Sequence, residues 1–286
     1  MKTGVWNYMI EKQSQYELVI KPKYGILNIN WQEIKEYKEL LYFLALREIK
    51  IRYKQTVMGA GWAVLQPFFT MIVFTLIFGG LAQMPSDGIP YPIFSYSGLL
   101  LWTYFSNSLT QSSNSLVGNA PLLSKVYLPR LFIPTAPCIA GIVDYLIAIS
   151  ILVLMMVYYV FIPNITILLL PAIVFLTFLL ACGLGYWLSS ICVKYRDVKF
   201  VMPFFIQLLM FVSPVIYPAD IVGGNLRWLL DLNPMTGLIN AHRACLLGHM
   251  PVDWYGLGIS AVITFVLFIT GVLYLKNTEK YFADLV

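Results

Sequence analysis

The sequence predicts an all-α integral membrane protein with six transmembrane helices, an N-terminal amphipathic interface helix, and outer-leaflet re-entrant helices between spans five and six. Hydrophobic residues make up 59% of the 286 residues and charged residues only 12%. A helix of roughly 20 apolar residues crosses a bilayer core, whereas a charge at its centre costs on the order of 3 kcal/mol. The stretches without Asp, Glu, Lys or Arg are Gln55 to Ser86, Gly88 to Ser124, Tyr145 to Val193, Phe200 to Ala219, and Trp254 to Leu275.

The first 56 residues precede the membrane domain and divide into two predicted parts. Residues 1–29 are expected to form a cytoplasmic arm, residues 30–56 an amphipathic interface helix with a basic loop, and residues 57–286 the six-span domain. Asn30 and Glu33 have the spacing of a capping box. An apolar face with helical spacing then follows, which predicts a helix lying along the inner membrane surface. This face comprises Ile34, Tyr37, Leu41 and Leu44.

The uncharged stretches divide into six predicted spans at turn-forming residues. Span five is the unusual one because Pro203 and Pro214 lie near its two ends and it holds only about 17 residues. After it, Met235 to Leu247 is predicted to dip back into the outer leaflet. The spans in order are Trp62 to Leu81, Ile93 to Leu109, Ala136 to Phe161, Ile167 to Cys192, Phe200 to Ile216, and Gly256 to Leu275.

The positions of the basic residues predict the orientation. Of the 19 Lys and Arg residues, all except Arg227 and Arg243 lie on one side of the predicted membrane. Because basic residues favour the cytoplasmic side, both termini are expected to be cytoplasmic. The net charge of +5 is thereby explained by topology, and no nucleic acid partner is expected.

The sequence contains few groups suited to chemistry. No Gly-x-x-x-x-Gly-Lys-Ser/Thr pattern is present, so ATP is not expected to bind this chain. Asp144 is the one acid inside a predicted span, where it either serves an ion pathway or packs as a hydrogen-bonded residue. His242 and His249 lack the neighbours of a metal site, and the four cysteines lack metal-ligand spacing. We therefore expect no catalytic residue, no metal and no cofactor in this chain.

Several motifs in order resemble one family of membrane proteins. The segment Leu46 to Gly59 and the segment Gly61 to Pro67 closely resemble the start of the first span in permeases of ABC-2 type polysaccharide exporters. Three further motifs follow at compatible spacing, and a fourth lies between spans five and six. They are Lys125 to Arg130, Tyr195 to Val198, Ser213 to Pro218, and Leu232 to Pro234.

The resemblance implies a function and a set of partners. It implies a non-enzymatic permease subunit in the bacterial inner membrane, assembled as a homodimer with two separate ABC ATPase subunits that bind ATP and Mg. The implied substrate is a lipid-linked polysaccharide of the O-antigen, capsule or teichoic acid type. Two alternatives stay open: an ABC-2 permease for a drug or small lipid, and a polyprenyl-phosphate-dependent membrane glycosyltransferase.

Basic residues before span one are candidates for binding the lipid pyrophosphate where it enters. Each basic group near an anionic phosphate at the membrane surface contributes about 1 kcal/mol. Ordinary anchoring to lipid headgroups is the alternative role. The residues are Arg47, Lys50, Arg52, Tyr53 and Lys54.

Two cytoplasmic loops are candidates for contact with the ATPase. The resemblance implies a coupling helix between spans two and three, where apolar side chains alternate with basic ones. Its residues are Leu122, Lys125, Val126, Tyr127, Pro129 and Arg130. The second loop provides Tyr195, Arg196 and Asp197. Capping a helix end or pairing with a neighbouring cytoplasmic segment is the alternative role of the last two.

Aromatic residues of spans one and five are candidates for lining a channel. Flat ring faces can stack on the C–H faces of sugars, although lipid-facing positions are the simpler explanation for any single ring. The candidates are Phe68, Phe69, Phe74, Phe204, Phe205 and Phe211. The polar run Ser106 to Ser115 is expected to face a wet vestibule, to leave the membrane, or to join helices through hydrogen bonds.

Overall fold

A computed structural model describes residues 35–54, 59, 61–123, 128–195, 197–223, 227–248 and 250–279. Over these residues the protein consists of helices and turns, with no β-strand. The predicted arm, residues 1–29, lies outside the described residues. The helices are α1 (Lys38–Tyr53), α2 (Gly61–Phe74), α3 (Tyr91–Gly118), α4 (Ala120–Leu123), α5 (Phe132–Tyr158), α6 (Leu170–Lys194), α7 (Val198–Val212), α8 (Arg227–Asp231), α9 (Pro234–Leu247) and α10 (Trp254–Thr278).

Among the described residues, four helical segments are long and apolar enough to cross a membrane: Gly61–Leu81, Phe132–Tyr158, Ile165–Lys194 and Trp254–Thr278. They correspond to predicted spans one, three, four and six. The helix of predicted span two, α3, has 28 residues but carries many serines, and that of predicted span five, α7, has only 15. The protein is thus an all-helical membrane protein, and the count of six spans stays a prediction.

Span one begins as α2 and ends in a wider helical turn. Residues Thr75–Leu81 form a π-helical turn, in which the Ala82 N–H donates to the Ile77 carbonyl at 2.8 Å. Gly79 lies here against the ring of Tyr91, where a Cβ would approach ring carbon Cγ at 2.9 Å. The turn therefore packs the outer end of span one against the start of α3.

The helix ends follow from local sequence signals. The side chains of Asn233 and Asp253 accept hydrogen bonds from backbone N–H groups in the first turns of α9 and α10, both at 3.0 to 3.1 Å. Gly248 ends α9 with a φ of 66°, a conformation that glycine adopts without strain. These caps define the helical hairpin between α9 and α10.

The centre of the bundle is α3, which packs against α5 and α6, while α6 packs against α10. Small residues let these helices approach closely. A Cβ at Gly141 would overlap the hydroxyl of Ser108, and one at Gly185 would overlap that of Ser112. The serine-rich run is therefore buried between helices, as Ser108, Ser112 and Ser113 have no exposed surface.

Two helices lie at the edge of the bundle. In α2 the described buried residues are Pro67 and Met71, and in α7 they are Met202 and Ile206. The remaining apolar side chains of both helices are partly or fully exposed. Because apolar surface of this extent needs lipid or another protein to cover it, these two helices form the outward-facing part of the chain.

Helix α1 runs alongside the bundle and packs on α5. Leu44 contacts Phe132 and Ala136, with Tyr37 and Leu41 packed around them, as the predicted apolar face requires. The helix continues to Tyr53, so Arg47, Lys50 and Arg52 lie on a helix and not in a loop. The predicted cap at Asn30 lies outside the described residues.

Candidate functional site

The candidate pyrophosphate-binding residues lie on opposite sides of α1. At 100° per residue, Arg52 lies about half a turn round the helix from Lys50 and Lys54. Arg52 and Tyr53 extend towards α5, whereas Arg47, Lys50 and Lys54 line a surface groove. The structure therefore divides the predicted set into a partly buried pair, Arg52 and Tyr53, hereafter the buried pair, and a more exposed triad, hereafter the exposed triad.

The buried pair contacts Asp144 in the middle of α5. The Arg52 guanidinium forms an ion pair with the Asp144 carboxylate, and it also donates to the side-chain oxygen of Gln111 at 2.7 Å and to the Pro137 carbonyl at 3.3 Å. The two charged side chains are 14% and 22% exposed. A charge at membrane level is tolerated when a partner neutralises it, so this pair supplies the partner that Asp144 needs.

Tyr53 is the second partner of Asp144. Its hydroxyl donates to the other carboxylate oxygen. Burial, and then the hydrogen bond to the Asp144 carboxylate, raises the pKa of Tyr53 above its usual value. The phenol therefore stays protonated at neutral pH and remains a hydrogen-bond donor. Asp144 thus ties the last turn of α1 to the middle of α5.

A cavity of about 220 Å³ adjoins this ion pair, between α1, α2, α3 and α5. Its wall includes the amide side chains of Gln66, Asn107 and Gln111 and the hydroxyl of Thr103. Aromatic rings complete the wall: Trp62, Tyr104 and Tyr145. The wall of the cavity therefore combines polar and aromatic groups.

The exposed triad lines a separate groove of about 530 Å³ on the outer side of α1. Arg47, Lys50 and Lys54 alternate there with the apolar residues Phe43, Leu46 and Ile51. Arg47 also donates hydrogen bonds to the side chains of Asn119 and Glu48. Positive charge above apolar stems suits a surface that lies at the level of lipid headgroups.

The candidate coupling segments are described only in part. Lys125, Val126, Tyr127 and Arg196 lie outside the described residues. Leu122, on the four-residue helix α4, packs against the cluster of Leu44, Phe132 and Ala136, so its side chain faces the protein. Pro129 is half-buried, Tyr195 is exposed, and Asp197 precedes α7.

Arg130 connects this loop to the end of the last helix. Its guanidinium lies 3.5 Å from the Glu279 carboxylate and donates to the Glu279 carbonyl. The connection fixes the loop after α4 next to the C-terminal end of α10. Arg130 is therefore committed, in this conformation, to a contact within the chain.

The candidate channel aromatics all lie on the two edge helices. Phe69, Phe204, Phe205 and Phe211 are about half exposed or more. Phe68 and Phe74 are half-buried. Phe68 packs edge-to-face on Phe69, with ring centroids 6.1 Å apart. The set therefore faces outwards from the single chain, where lipid, a second copy or a channel can contact it.

The sequence interpretation missed a buried arginine on the opposite side of the bundle. Arg243 on α9 is 2% exposed and donates to the backbone carbonyls of Pro214 at 2.6 Å, Val215 at 2.5 Å and Phe94 at 3.3 Å. Its guanidinium carbon also lies 3.8 Å from the centre of the Phe94 ring. The signal that could have identified it is a single arginine in a helix, Pro234–Leu247, that otherwise has no Asp, Glu, Lys or Arg.

Two of the backbone carbonyls that Arg243 binds, those of Pro214 and Val215, lie just beyond the end of α7. After Val212 the chain leaves the helix at Ser213 and Pro214, so these carbonyls have no helical N–H to accept. Gly98 leaves room for the guanidinium, because a Cβ there would overlap it. Arg243 therefore caps the broken end of α7 and fixes it to α3 and α9.

His242 links α9 to the helix that carries Asp144. Its Nε2 lies 2.9 Å from the Tyr145 hydroxyl, and both side chains are buried. Tyr145 also lines the cavity beside Asp144. Within the described residues, no group of three His, Cys, Asp or Glu side chains is placed to hold a metal ion.

Comparison with known proteins gives a family match over most of the chain. Residues 39–247 match the family described as ABC-2 type transporter. The chain is 27% identical to the O-antigen export system permease protein RfbA of Myxococcus xanthus over 256 residues, which cover 88% of this chain and 97% of that protein.

Two further relatives have related names. The O-antigen export system permease protein RfbA of Klebsiella pneumoniae is 24% identical over 250 residues, covering 86% of this chain and 95% of that protein. The polysialic acid transport protein KpsM of Escherichia coli is 24% identical over 243 residues, covering 83% and 92%.

Proposed function

Since this chain belongs to the ABC-2 type transporter family, we propose that it is the permease subunit of an ATP-driven exporter that moves lipid-linked polysaccharide across the bacterial inner membrane. The observation that carries the proposal is the likeness to two O-antigen export permeases and a polysialic acid transport protein along nearly their whole length. O-antigen, capsule and teichoic acid polymers are the substrate class. The chain itself carries out no reaction, and a separate ATPase supplies the energy.

The groove on α1 is the proposed place where the lipid pyrophosphate binds. Its three cations, Arg47, Lys50 and Lys54, are spaced over two turns, and apolar side chains beside them suit the first part of a lipid tail. Arg52 and Tyr53, which the sequence placed in the same set, instead hold α1 against Asp144. The proposed phosphate-binding residues are therefore Arg47, Lys50 and Lys54 alone.

The exposed helices α2 and α7 support a homodimer. Each exposes apolar side chains, among them Phe69 on α2 and Phe204 and Phe211 on α7. In a dimer, one part of such apolar surface is covered by lipid, and another part is covered by the second copy or borders the conduit. In this arrangement the aromatic rings would border the path of the polymer.

Two ABC ATPase subunits are the proposed partners, bound on the cytoplasmic side together with both termini. The loop between α3 and α5 is the proposed contact, since Arg130 and Leu122 fix it to the end of α10 and to the α1–α5 cluster. Movement of the ATPases would thus act on α1 and α5 together. The loop of Tyr195 and Asp197 is the second candidate contact.

The test is ATP hydrolysis by the complex with its own ATPase in lipid nanodiscs. Lipid-linked glycan should stimulate hydrolysis, and a small amphiphilic drug should not. Replacing Arg47, Lys50 and Lys54 with Ala should reduce this stimulation by about tenfold or more, because three phosphate contacts of about 1 kcal/mol each are lost.

The matched control removes three charges elsewhere on the same side of the chain. Lys35, Lys38 and Lys199 are exposed and lie outside the groove, so their replacement with Ala should leave the stimulation unchanged. Stimulation by a small amphiphile alone would show that the substrate class is wrong. Equal loss in both triple variants would show that charge, and not the groove, matters.

A further inference from the structure

We propose that the cavity between α1, α2, α3 and α5 binds a single sugar ring, the unit attached directly to the lipid pyrophosphate. The proposal rests on the proposed function and adds a second point of recognition to it. In this arrangement the pyrophosphate lies in the groove of Arg47, Lys50 and Lys54, and the first sugar lies in the cavity. The permease would then recognise the pyrophosphate and its first sugar, and it would make no specific contact with the rest of the polymer.

The polar wall of the cavity has unused hydrogen-bonding capacity. Among the contacts recorded for the described residues, the side chains of Gln66, Thr103 and Asn107 make no hydrogen bond. Amide groups both donate and accept, and hydroxyl groups do the same. This combination matches sugar hydroxyl and acetamido groups, which also donate and accept.

The charges of the cavity favour a neutral ligand. Arg52 and Asp144 are the two charged side chains among the described residues of its wall, and they pair with each other. Their fields largely cancel at the cavity, so a phosphate gains little there compared with the three cations of the groove. The sugar and the phosphate are thus directed to different sites.

The apolar wall suits one face of a sugar ring. Trp62 is 58% exposed and provides most of the accessible aromatic surface, while Tyr104 and Tyr145 also line the cavity but are largely buried. Aromatic rings offer large, rigid contact area with a weakly polar face, against which the C–H side of a sugar packs. Aliphatic side chains would contact a lipid tail as well as aromatic rings do, but they would not offer a flat face to a sugar ring.

The size of the cavity suits a ligand of one ring. A water molecule occupies about 30 Å³ of the liquid, so 220 Å³ corresponds to roughly seven waters. Drug-sized ligands occupy pockets of about 300 to 1,000 Å³. The cavity is therefore smaller than a typical drug site and large enough for a single sugar.

The cavity and the groove meet at the end of α1. Tyr53 lines the cavity, and the next residue, Lys54, lines the groove. The distance across a helix with its side chains is about 10 to 12 Å. The two sites therefore adjoin successive residues at the end of α1, on the scale of one helix diameter apart.

The test compares two ligands that differ by one sugar. Binding of bare polyprenyl pyrophosphate and of polyprenyl pyrophosphate carrying one N-acetylhexosamine is measured by native mass spectrometry of the full complex in nanodiscs without sugar detergents. The wild-type protein should bind the sugar-bearing lipid about tenfold more tightly, which corresponds to one or two new hydrogen bonds. Equal affinities for the two lipids would overturn the proposal.

The variant Gln66→Leu/Asn107→Leu removes the amides while keeping side-chain size. It should bind both lipids equally, with the affinity for the bare lipid unchanged. The control Gln207→Leu/Asn114→Leu makes the same chemical change away from the cavity and should keep the preference for the sugar. A preference retained in the cavity variant would overturn the proposal.

Two additional measurements separate the possible failures. If the double variant does not fold, Asn107→Ala alone should show a smaller loss of preference, and an unchanged preference would count against the cavity. Stimulation of ATP hydrolysis by full-length lipid-linked glycan tests the proposed function independently. Stimulation with equal binding of the two short lipids would leave the exporter in place and remove the sugar site.

Discussion

Two arginines of this chain bind different kinds of partner in two regions of the bundle. Arg52 meets a carboxylate, Asp144, beside a cavity and keeps 14% of its side chain exposed. Arg243 is buried and binds three backbone carbonyls and an aromatic ring. An ion pair between helices can separate when each partner finds water or another charge, whereas freed carbonyls have no alternative inside the protein. The comparison indicates a separable contact at α1 and a permanent one at α9.

The largest expected effect is the loss of Arg243. Replacing it with Met keeps much of its volume but removes the donor to the carbonyls of Pro214 and Val215, which should destabilise the protein by about 3 to 5 kcal/mol. The measurement is thermal unfolding of the purified protein, followed by tryptophan fluorescence. Arg227→Ala is the control, because its exposed ion pair with Asp220 should contribute less than about 1 kcal/mol.

A smaller but more informative effect is expected at Asp144. Asp144→Asn leaves Arg52 without its counter-charge, and since both groups are partly exposed the cost should be about 2 kcal/mol. The exchange Arg52→Asp/Asp144→Arg should recover at least half of the loss if the two side chains act as a pair. Stability and ATP hydrolysis of Arg52→Asp, Asp144→Arg and the double exchange provide a double-mutant cycle. Additive losses without recovery would show that the two residues act independently.

The smallest effect is expected at Asp87, in the loop that leads to α3 near Arg243. Burial, and then the nearby Asp220 carboxylate, raises the pKa of Asp87, while Arg243 opposes this rise. Because the folded-state pKa lies above the unfolded one, the favourable contribution is complete below the usual value and is lost as pH rises through the folded value. Asp87→Asn should therefore raise stability slightly at pH 7, by less than about 0.5 kcal/mol, and leave it unchanged near pH 3.

Backbone conformation makes this substitution suitable. Asp87 has a φ of 53°, a left-handed conformation that asparagine adopts readily, so Asp87→Asn introduces no strain. Unfolding midpoints measured from pH 3 to 8 for both proteins provide the check. A constant difference between the two proteins at every pH would contradict the pKa interpretation.

The positions of the membrane helices were predictable from charge alone. Span one was expected at Trp62 to Leu81 and is found at Gly61–Leu81, and span six was expected at Gly256 to Leu275 and is found at Trp254–Thr278. The physical reason is that the cost of a charge in hydrocarbon restricts the sequence more strongly than any helix propensity does. The family resemblance read from the motifs is likewise confirmed by the match over residues 39–247.

The partners of buried charges could not be predicted from the sequence. Arg52 and Asp144 are 92 residues apart, and the pairing depends on how α1 packs against α5. Arg243 was expected on the outer surface because the positive-inside rule counts a charge without asking whether backbone carbonyls can bind it. Local patterns do not contain such information, since both contacts form only after the helices have packed.

The serines of α3 show the same difference. Their number lowers the mean hydropathy of the helix, and three explanations for them were open. The structure places Ser108 and Ser112 opposite Gly141 and Gly185, where small residues let three helices approach closely. The partner glycines lie more than 30 residues away in the chain, so the local sequence could not distinguish polar packing from a wet surface.

The uneven packing of the helices determines which of them can move. α3, α5, α6 and α10 interlock through glycines and serines, so displacing any one of them separates backbones that touch. Of the side chains described, α2 and α7 each bury only two, so displacing either helix disrupts less packing. A permease that must widen for a bulky polymer can thus keep four helices fixed and move α2 and α7. The free-energy cost of this movement comes mainly from rearranging the neighbouring lipid.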